Sequence, residues 1–316
     1  GGGGGGALRG ALLLSGLRSR GAAATAAPPD EESKPPDLPL SIVIPVMNEE
    51  ACIGAILRYL ALLDPAPLEV IVVDGGSTDA TCRLVAKAKG VKLLRTSLQS
   101  RAKQMNAGAA VAKGECVMFL HADTFPPLDS AALVSDAFSD PAVSLSAFRP
   151  ILDHRGRTFW GMSLLHHVKT TAAAFLFRPV AAFQGMKIFF GDQAMVARAS
   201  AFRKVKFCEA LKTMEDLDLC VRLFFGVDED SAAHTSYSAL SRGSGRKGKG
   251  GVQRYKWRGT KFVYLNRCAH TSGRRIDEWG VAKSLKLFLV LSLSYAFKAS
   301  PQSLNELANK VYSEVR

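Results

Sequence analysis

The chain has 316 residues, of which 47% are hydrophobic and 8% aromatic, a composition typical of a soluble globular protein with one large domain or two small ones. Its formal net charge of +13 is concentrated, because eleven Lys or Arg and no Asp or Glu lie between Ser241 and Arg275. The six cysteines lack CxxC spacing, which argues against a zinc site and a disulfide framework and favours reduced thiols.

The first 37 residues differ from the rest of the chain. Up to Pro29 they include three Arg, many Ala and Gly, and no acid, a pattern that resembles an organellar transit peptide. A Pro- and acid-rich stretch then runs to Pro39 and is predicted to be a disordered linker. We therefore expect an organellar protein, plastid rather than mitochondrial. The alternative is a low-complexity extension that carries no targeting signal, and the location would then be cytoplasmic or peripheral to a membrane.

Two buried strands open the folded body. Ser41–Val46 and Glu69–Asp74 are almost continuously apolar, as expected of strands covered on both faces in a mostly parallel sheet. A polar turn follows each strand and leads into a helix, and we expect Asn48 and Ser77 to cap these two helices. The second turn contains two glycines, which allow close backbone approach to a ligand, but it matches neither GxGxxG nor a P-loop.

A third short strand, Val91–Leu94, precedes a helix that begins near Ser100. Arg101 and Lys103 lie in the first turns of this helix, where cations oppose the helix dipole. A bound anion facing them would explain their position, and a solvated basic helix face is the alternative.

The next strand, Val117–Leu120, ends in a polar tip that contains His121 and Asp123. Ligands bind outside the carboxyl ends of strands in parallel sheets, and a carboxylate there can hold a hard cation against a phosphate. The alternative is that Asp123 only begins the turn before Pro126. The alternation of buried strands and helices predicts an α/β fold with a doubly wound, mostly parallel sheet.

Two later segments are predicted to be helices. His154–Phe177 has apolar residues at helical spacing and is expected to pack beside a ligand site. Because His166 and His167 are adjacent, they do not share a helix face, which argues against a joint metal site. Met214–Phe225 begins with two acids, Glu215 and Asp216, which a helix dipole alone would also favour.

The C-terminal third is less regular. Residues 228–252 are rich in Gly, Ser and Lys and are predicted to be a disordered insertion. Leu285–Phe297 is apolar nearly all round but too short to span a bilayer, so a core helix and a helix on a membrane surface both stay open. Ser303–Val315 is predicted to be an amphipathic helix. The expected organisation is one domain over residues 38–316, interrupted at about 226–252, with C-terminal helices from about residue 280.

Seven segments in this order resemble family 2 glycosyltransferases with the GT-A fold. They are residues 41–50, 72–79, 101–108, 120–124, 191–193, 214–219 and 271–275. They are most similar to a bacterial-type subgroup with a His-Ala-Asp triplet in place of the usual DxD. The resemblance implies a metal-dependent, inverting enzyme that moves a sugar from a nucleotide-diphospho-sugar, a UDP-sugar above all, to an acceptor hydroxyl.

The resemblance also implies residue roles. Asp216 would be the general base that takes the proton of the acceptor hydroxyl, with Glu215 as its substitute. Asp123 would hold Mn²⁺ or Mg²⁺ against the diphosphate. Asp74 would accept a hydrogen bond from the base, and Arg101 would lie against the nucleotide or its phosphates. The full set implied in donor binding is Pro45, Asn48, Glu49, Asp74, Asp79, Arg101, His121, Asp192, Gln193, Arg274 and Arg275.

The chain departs from the family pattern at two places. His121 stands where a DxD enzyme has its first Asp, and a neutral imidazole lacks that charge, although it can bind a sugar or Mn²⁺. Lys204-Val205-Lys206-Phe207 replaces the usual Gly-Gly-Phe before the acidic motif. His270 is a further metal candidate, with a structural role favoured.

Two other functions stay open. The departures allow a non-catalytic protein that binds nucleotide sugars, and the basic segment 241–275 allows a protein that binds membranes or nucleic acid. No zinc finger, RNA-binding aromatic motif or heptad repeat supports nucleic acid as a partner. The expected partners are a nucleotide-sugar donor and an acceptor that is a lipid, a glycan or a protein, with a peripheral membrane contact left open.

Overall fold

A computed structural model describes residues 38–97, 99–177, 179–226, 247–248, 251–252, 259–284, 286, 290, 302–303, 305–307 and 309. The predicted transit peptide and linker, most of the predicted insertion and most of the two predicted C-terminal helices lie outside these residues. Those expectations therefore stay predictions. The six cysteines all lie in the described ranges, and none forms a disulfide.

The strands of the described chain form one large sheet and one small hairpin. They are β1 (Leu40–Val46), β2 (Glu69–Asp74), β3 (Val91–Arg95), β4 (Cys116–Phe119), β5 (Thr124–Phe125), β6 (Val143–His154), β7 (Arg157–Thr158), β8 (Met195–Arg198), β9 (Lys247–Gly248), β10 (Gly251–Val252) and β11 (Lys261–Ser272). The large sheet has the order β3-β2-β1-β4-β8-β6-β11-β5, with β7 on β6, and β9 pairs only with β10.

The sheet has a parallel half and a mixed half. Strands β3, β2, β1 and β4 run parallel to one another, and β6 runs parallel to β11. Strand β8 is antiparallel to both β4 and β6, and β5 is antiparallel to β11. The predicted α/β sheet is thus confirmed, and its parallel half coincides with the strands predicted from the sequence.

Helices cover both faces of the sheet. They are α1 (Ile53–Leu60), α2 (Thr81–Ala86), α3 (Arg101–Val111), α4 (Ser130–Phe138), α5 (Trp160–Phe177), α6 (Pro179–Phe183), α7 (Ala199–Val205), α8 (Glu215–Phe225) and α9 (Arg274–Trp279), with a 3-10 turn at Gly191–Gln193. Adjacent strand residues contribute to opposite cores, since side chains alternate along a strand. Val43 packs in the core under α3, α7 and α8, whereas Ile44 packs in the core under α1, α2 and α4.

Helix α3 lies unusually close to the sheet. Gly108 faces Val43 and Val73, and a Cβ on this glycine would clash with Val43 and lie 2.9 Å from Cγ2 of Val73. Only glycine allows this approach, which fixes the position of the helix and therefore of Arg101 at its beginning.

Three local predictions were wrong. Helices α1 and α2 begin at Ile53 and Thr81, and neither Asn48 nor Ser77 caps them, because both side chains bond to the opposite loop instead. Helix α5 begins at Trp160 rather than His154, because β6 extends to His154 and turns into β7. Among the described residues, no helix has the length and the apolar character needed to cross a membrane.

Candidate active site

The loops after β1 and β2 form the rim of a cleft and hold each other in place. The backbone N–H of Asn48 donates to Ser77 Oγ at 2.9 Å, and Asn48 Oδ1 accepts from the N–H of Thr78 at 2.9 Å. The N–H of Glu50 donates to Asp79 Oδ2 at 3.1 Å. Asn48 has a left-handed backbone with φ of 56°. These reciprocal bonds place Asn48 and Asp79 at one edge of the sheet, beside the partly exposed Pro45.

Asp74 lies buried at the end of β2. Its carboxylate accepts from the N–H of Gly76 at 3.1 Å and from the N–H of Ser77 at 3.2 Å. Burial opposes ionisation, but hydrogen bonds from Ser77, Cys82 and Gly76 outweigh it and lower the pKa of Asp74. An ionised carboxylate keeps further lone pairs, so Asp74 remains able to accept a hydrogen bond from a base.

Asp123 lies in the turn between β4 and β5, across the cleft from the first loop. The N–H of Thr124 donates to the carbonyl of His121 at 3.1 Å, which closes this turn. The pKa of Glu49 is raised, first by burial and then by the negative charge of Asp123, while Arg274 and Arg101 oppose the shift. Four predicted residues from four separate segments therefore share one electrostatic environment.

A divalent cation fits the pair formed by Asp123 and Glu49. The negative charge of Asp123 disfavours ionisation of Glu49, and a cation between the two carboxylates would relieve this repulsion. Within the described ranges, no group of three or more His, Cys, Asp and Glu side chains could hold a metal ion. The pair therefore suits a cation that takes its other ligands from phosphate and water, as Mg²⁺ does in phosphate-binding sites.

Asp216 lies at the beginning of α8, on the floor of the cleft. Its Oδ2 accepts from the N–H of Gly191 at 2.9 Å, and its Oδ1 accepts from the N–H of Leu217 at 2.7 Å. Burial is the main cause of its raised pKa, which the two backbone bonds lower and Asp192 raises further. The side chain still reaches solvent in part. Asp216 is thus a partly accessible carboxylate with increased affinity for a proton.

Glu215 is more enclosed than its neighbour. It is 4% exposed, and its Oε1 lies 3.5 Å from Nη1 of Arg101. Burial raises the pKa of Glu215 to about 7 against the opposing charge of Arg101. Arg101 therefore links the loop after β1, where it acts on Glu49, to the acids at the beginning of α8.

Asp192 lies beside Asp216 and near His166, Lys169 and His121. Nδ1 of His166 lies 3.0 Å from Asp192 Oδ2. Burial disfavours the charged form, but His166, Lys169 and His121 hold the pKa of Asp192 well below its usual range. The ring of His121 faces the same turn, because a Cβ on Gly191 would lie 2.7 Å from its Nε2. The structure thus brings Asp192, His121 and Asp216 together.

Gln193 differs from its predicted role in donor binding. It is fully buried, its Oε1 accepts from the N–H of Phe190 at 3.0 Å, and its Nε2 donates to Thr170 Oγ1 at 3.0 Å. Both ends of its amide are used inside the protein, so Gln193 shapes the turn that presents Asp192, and its direct contact with the donor stays a prediction.

Sequence reasoning missed the buried ion pair of α8. Asp218 and Arg222 are fully buried, and Oδ2 of Asp218 lies 2.6 Å from Nη2 of Arg222. Arg222 also donates to the carbonyls of Val205 and Lys206, in the segment that departs from the family's Gly-Gly-Phe. The i,i+4 spacing of the two residues was visible in the sequence, but only the fold shows that they fix this loop.

The C-terminal candidates fall into three groups. The positive charge of Arg274 opposes the raised pKa values of Glu49 and Cys52, so Arg274 lies near the segment that follows β1. The side chain of Arg275 lies outside the described part of the chain. Nδ1 of His270 makes a short contact with Asp153, which gives this histidine a structural partner.

The second half of the basic segment is a sheet strand. Lys261 and Arg267 of β11 pair with Asp140 at 2.7 Å and Asp129 at 3.4 Å. These pairs use cations that a polyanion would otherwise meet, so this part of the segment gives no support to nucleic-acid binding.

Two cavities lie away from the cleft. One of about 430 Å³ is lined by Lys204, Leu223 and Gly226 among others, and one of about 410 Å³ by Leu38 and Arg198 among others. Neither cavity is lined by a residue predicted to bind the donor or to act in catalysis.

Comparison with known proteins gives an independent result. A family model described as Glycosyl transferase family 2 matches residues 41–205, just over half of the chain. A curated relative, poly(ribitol-phosphate) beta-N-acetylglucosaminyltransferase of Staphylococcus aureus strain Mu50, is 32% identical over 111 residues, which are 32% of this chain and 19% of the relative. Undecaprenyl-phosphate 4-deoxy-4-formamido-L-arabinose transferase of Aeromonas hydrophila is 39% identical over 108 residues, 31% of this chain and 33% of the relative. The chain thus matches between a fifth and a third of the length of these two proteins.

Solved structures show the same fold. Glucosyl-3-phosphoglycerate synthase from Mycobacterium tuberculosis, solved with Mn²⁺, UDP-glucose and phosphoglyceric acid, aligns with a TM-score of 0.55 at 17% identity over 86% of each chain. A mannosyltransferase from Pyrobaculum calidifontis, solved with GDP-Man and Mn²⁺, aligns with a TM-score of 0.54 at 19% identity over 96% of this chain and 77% of that one. At this identity the likeness shows the GT-A fold.

Proposed function

The chain belongs to glycosyl transferase family 2, and we propose that it transfers a sugar from a nucleotide-diphospho-sugar to an acceptor hydroxyl with inversion. A UDP-sugar is the proposed donor. The observation that carries this proposal is a set of charges from separate segments. Glu49, Asp123, Arg101 and Arg274 share one electrostatic environment and form the proposed donor rim. Arg101 also lies 3.5 Å from Glu215, the neighbour of Asp216.

The donor rim suits a diphosphate. Arg101 and Arg274 supply positive charge beside Glu49, and charge placed in advance stabilises a departing diphosphate. A divalent cation held by Asp123 and Glu49 would add charge to the same leaving group. Two solved relatives of the same fold contain Mn²⁺ together with UDP-glucose or GDP-Man, which supports this choice of donor and cation.

Asp216 is the proposed general base. As the acceptor oxygen bonds to the anomeric carbon, Asp216 takes the hydroxyl proton, and the bond from that carbon to the diphosphate breaks. Its raised pKa favours proton uptake, and its partial exposure allows an acceptor to reach it. Glu215 is the poorer candidate, because it is 4% exposed and paired with Arg101.

Turnover of UDP-sugars with Mn²⁺ tests the proposal in the intact chain. Wild type is expected to hydrolyse or transfer at least one UDP-sugar, Asp123→Ala to lose the response to Mn²⁺, and Asp216→Asn to lose turnover. Asp136→Asn, which changes an exposed acid on α4, is the matched control and should behave as wild type. Equal turnover in all four proteins would exclude the roles proposed for Asp123 and Asp216. No turnover by wild type with any donor would exclude the enzymatic function and leave nucleotide-sugar binding.

The proposed location is an organelle, the plastid in the first instance, and it depends on residues 1–37. A fluorescent protein fused behind residues 1–37 is expected to enter that organelle, and a fusion that replaces the three Arg of this stretch should not. Uniform cytosolic fluorescence of the first fusion would contradict this location.

A further inference from the structure

One face of α5 contacts the 3-10 turn that leads into β8. Nδ1 of His166 lies 3.0 Å from Oδ2 of Asp192. Four residues later, Oγ1 of Thr170 accepts from Nε2 of Gln193 at 3.0 Å. The carbonyl of Thr170 also accepts from the N–H of Ile188 at 3.2 Å, just before the turn. Because residues four apart lie on the same face of a helix, α5 contacts two consecutive residues of the turn from one side.

The backbone of the turn is constrained at both ends. Nζ of Lys169 lies 3.8 Å from the ring centroid of Phe190, which immediately precedes the turn. Ala194 follows the turn with a left-handed backbone, φ of 47°, which a residue other than glycine keeps only where its surroundings impose it. The conformation of the turn therefore depends on contacts from outside it.

The turn supplies one of the N–H groups that bind Asp216. The N–H of Gly191 donates to Oδ2 of Asp216 at 2.9 Å, and the N–H of Leu217 donates to Oδ1 at 2.7 Å. The bond from Leu217 lies within α8, whereas the bond from Gly191 joins Asp216 to a different segment. The position of the turn thus helps to fix the direction in which this carboxylate faces.

Asp192 connects α5 to that bond, because it is the next residue after Gly191. Its Oδ1 is buried and has no hydrogen-bond partner in the part of the chain that the structure describes. Of the three side chains that lower the pKa of Asp192 against its burial, His166 has the largest effect, ahead of Lys169 and His121. A largely enclosed carboxylate that loses such a partner is expected to turn toward water. Movement of Asp192 would also move the adjacent N–H of Gly191.

We propose that His166 is a positioning residue of the active site, which holds Asp192 in place and thereby keeps the N–H of Gly191 on the carboxylate of Asp216. The consequence for catalysis rests on the proposed function, because it takes Asp216 as the general base. The positioning of the turn does not depend on that function.

Hydrogen exchange in the intact chain tests the positioning without turnover. Wild type, His166→Leu, His166→Asn and Val168→Ala are compared by mass spectrometry of a peptide that spans residues 188–194, with peptides from β1 and β2 as the internal reference. Asn has an amide N–H that can replace Nδ1 as the donor. Val168 is the matched control, because it lies on α5 and is 49% exposed.

We expect exchange in residues 188–194 to be about tenfold or more faster in His166→Leu than in wild type. His166→Asn and Val168→Ala should remain within about twofold of wild type, and the reference peptides should not change in any variant.

Turnover then tests the consequence for catalysis. His166→Leu should lower kcat by about 10- to 10²-fold, His166→Asn should recover most of this loss, and Val168→Ala should behave as wild type. The affinity for UDP with Mn²⁺ should be the same in all four proteins, because Glu49, Asp123 and the other residues of the proposed donor rim lie on other segments. Loss of packing alone would lower the melting temperature and weaken UDP binding together with kcat.

Three results would overturn the positioning by His166. They are unchanged exchange of the turn in His166→Leu, equally fast exchange in His166→Leu and His166→Asn, and faster exchange that extends equally to β1 and β2. Faster exchange confined to the turn with unchanged kcat would overturn the consequence for catalysis. Faster exchange confined to the turn, together with a wild type that turns over no donor, would support the positioning and contradict the proposed function alone.

Discussion

On the donor side of the cleft, the loops after β1 and β2 are joined by hydrogen bonds between backbone and side chains at their own surface. On the proposed acceptor side, α8 contains the buried ion pair of Asp218 with Arg222, and His166 of α5 lies 3.0 Å from the partly exposed Asp192. Surface hydrogen bonds contribute little each and are easily replaced, whereas a buried charge that loses its partner is costly. The acceptor side is therefore the half in which single substitutions should have large effects.

The largest effect on activity is expected at Asp216. Asp216→Asn removes the proton acceptor and should reduce kcat by about 10²–10⁴-fold, because this is the usual contribution of a general base. The amide can still accept from one of the two backbone N–H groups that Asp216 binds, so the fold should persist. Steady-state turnover together with thermal unfolding measures both. Unchanged kcat would exclude Asp216 as the base.

The largest effect on stability is expected at Asp218, which lies two residues after Asp216 in α8. Asp218→Ala leaves Arg222 buried without its carboxylate and should lower the free energy of unfolding by about 3–5 kcal/mol. The double variant Asp218→Leu with Arg222→Met should recover much of this loss, because it removes both charges. Denaturant unfolding of the three proteins gives the values, and a loss below about 1 kcal/mol in Asp218→Ala would show that the pair contributes little.

A smaller effect is expected at the turn between the two halves. Gly191→Ala would place a Cβ 2.7 Å from Nε2 of His121 and displace that ring. Misplacement of a group in an active site by about 1 Å can cost up to about 10²-fold, so we expect a tenfold or greater loss of kcat/KM. Gly161→Ala is the matched control, since a Cβ there meets nothing within 4 Å. The same kcat/KM in both variants would show that His121 tolerates displacement.

The smallest effect concerns pH. The pKa of Glu215 rises from its ordinary value of 4.5 to about 7 in the folded protein. Between these values the folded state binds more protons than the unfolded state, so stability falls as pH rises. Glu215→Gln should reduce the fall in melting temperature between about pH 5 and about pH 8. Glu115→Gln, at an exposed site, should show the same fall in melting temperature as wild type. An equal pH dependence of the melting temperature in both variants would contradict the raised pKa of Glu215.

The contrast between the parallel half and the mixed half of the sheet explains which strands the sequence could predict. The strands β1, β2, β3 and β4 were predicted within one or two residues, because continuous apolar runs identify strands buried in a parallel sheet. The long strands β6 and β11 were missed, because polar residues such as Ser144, Ser146 and Asn266 interrupt their apolar runs. The order of the motifs predicted the fold, and the family model supports it.

Individual contacts were harder to predict than elements. Asn48 and Ser77 have the chemistry of helix caps, but each takes part in a hydrogen bond with the other's loop, which no local pattern reveals. Gln193 lies next to Asp192 in the sequence, yet a short helical turn directs its amide inward and leaves Asp192 at the cleft. Contacts between segments depend on the packed fold, and the roles implied for Asp74, Asp123 and Asp216 remain predictions.

The central claim is that a metal-bound diphosphate lies at the donor rim while Asp216 acts only in the chemical step. Calorimetric titration of UDP and GDP, with and without Mn²⁺, into wild type, Asp123→Ala and Asp216→Asn tests it directly. The account predicts that Mn²⁺ tightens binding of UDP in wild type and in Asp216→Asn, and that Asp123→Ala loses this increment. Binding that ignores Mn²⁺ in wild type, or that survives unchanged in Asp123→Ala, would contradict the account.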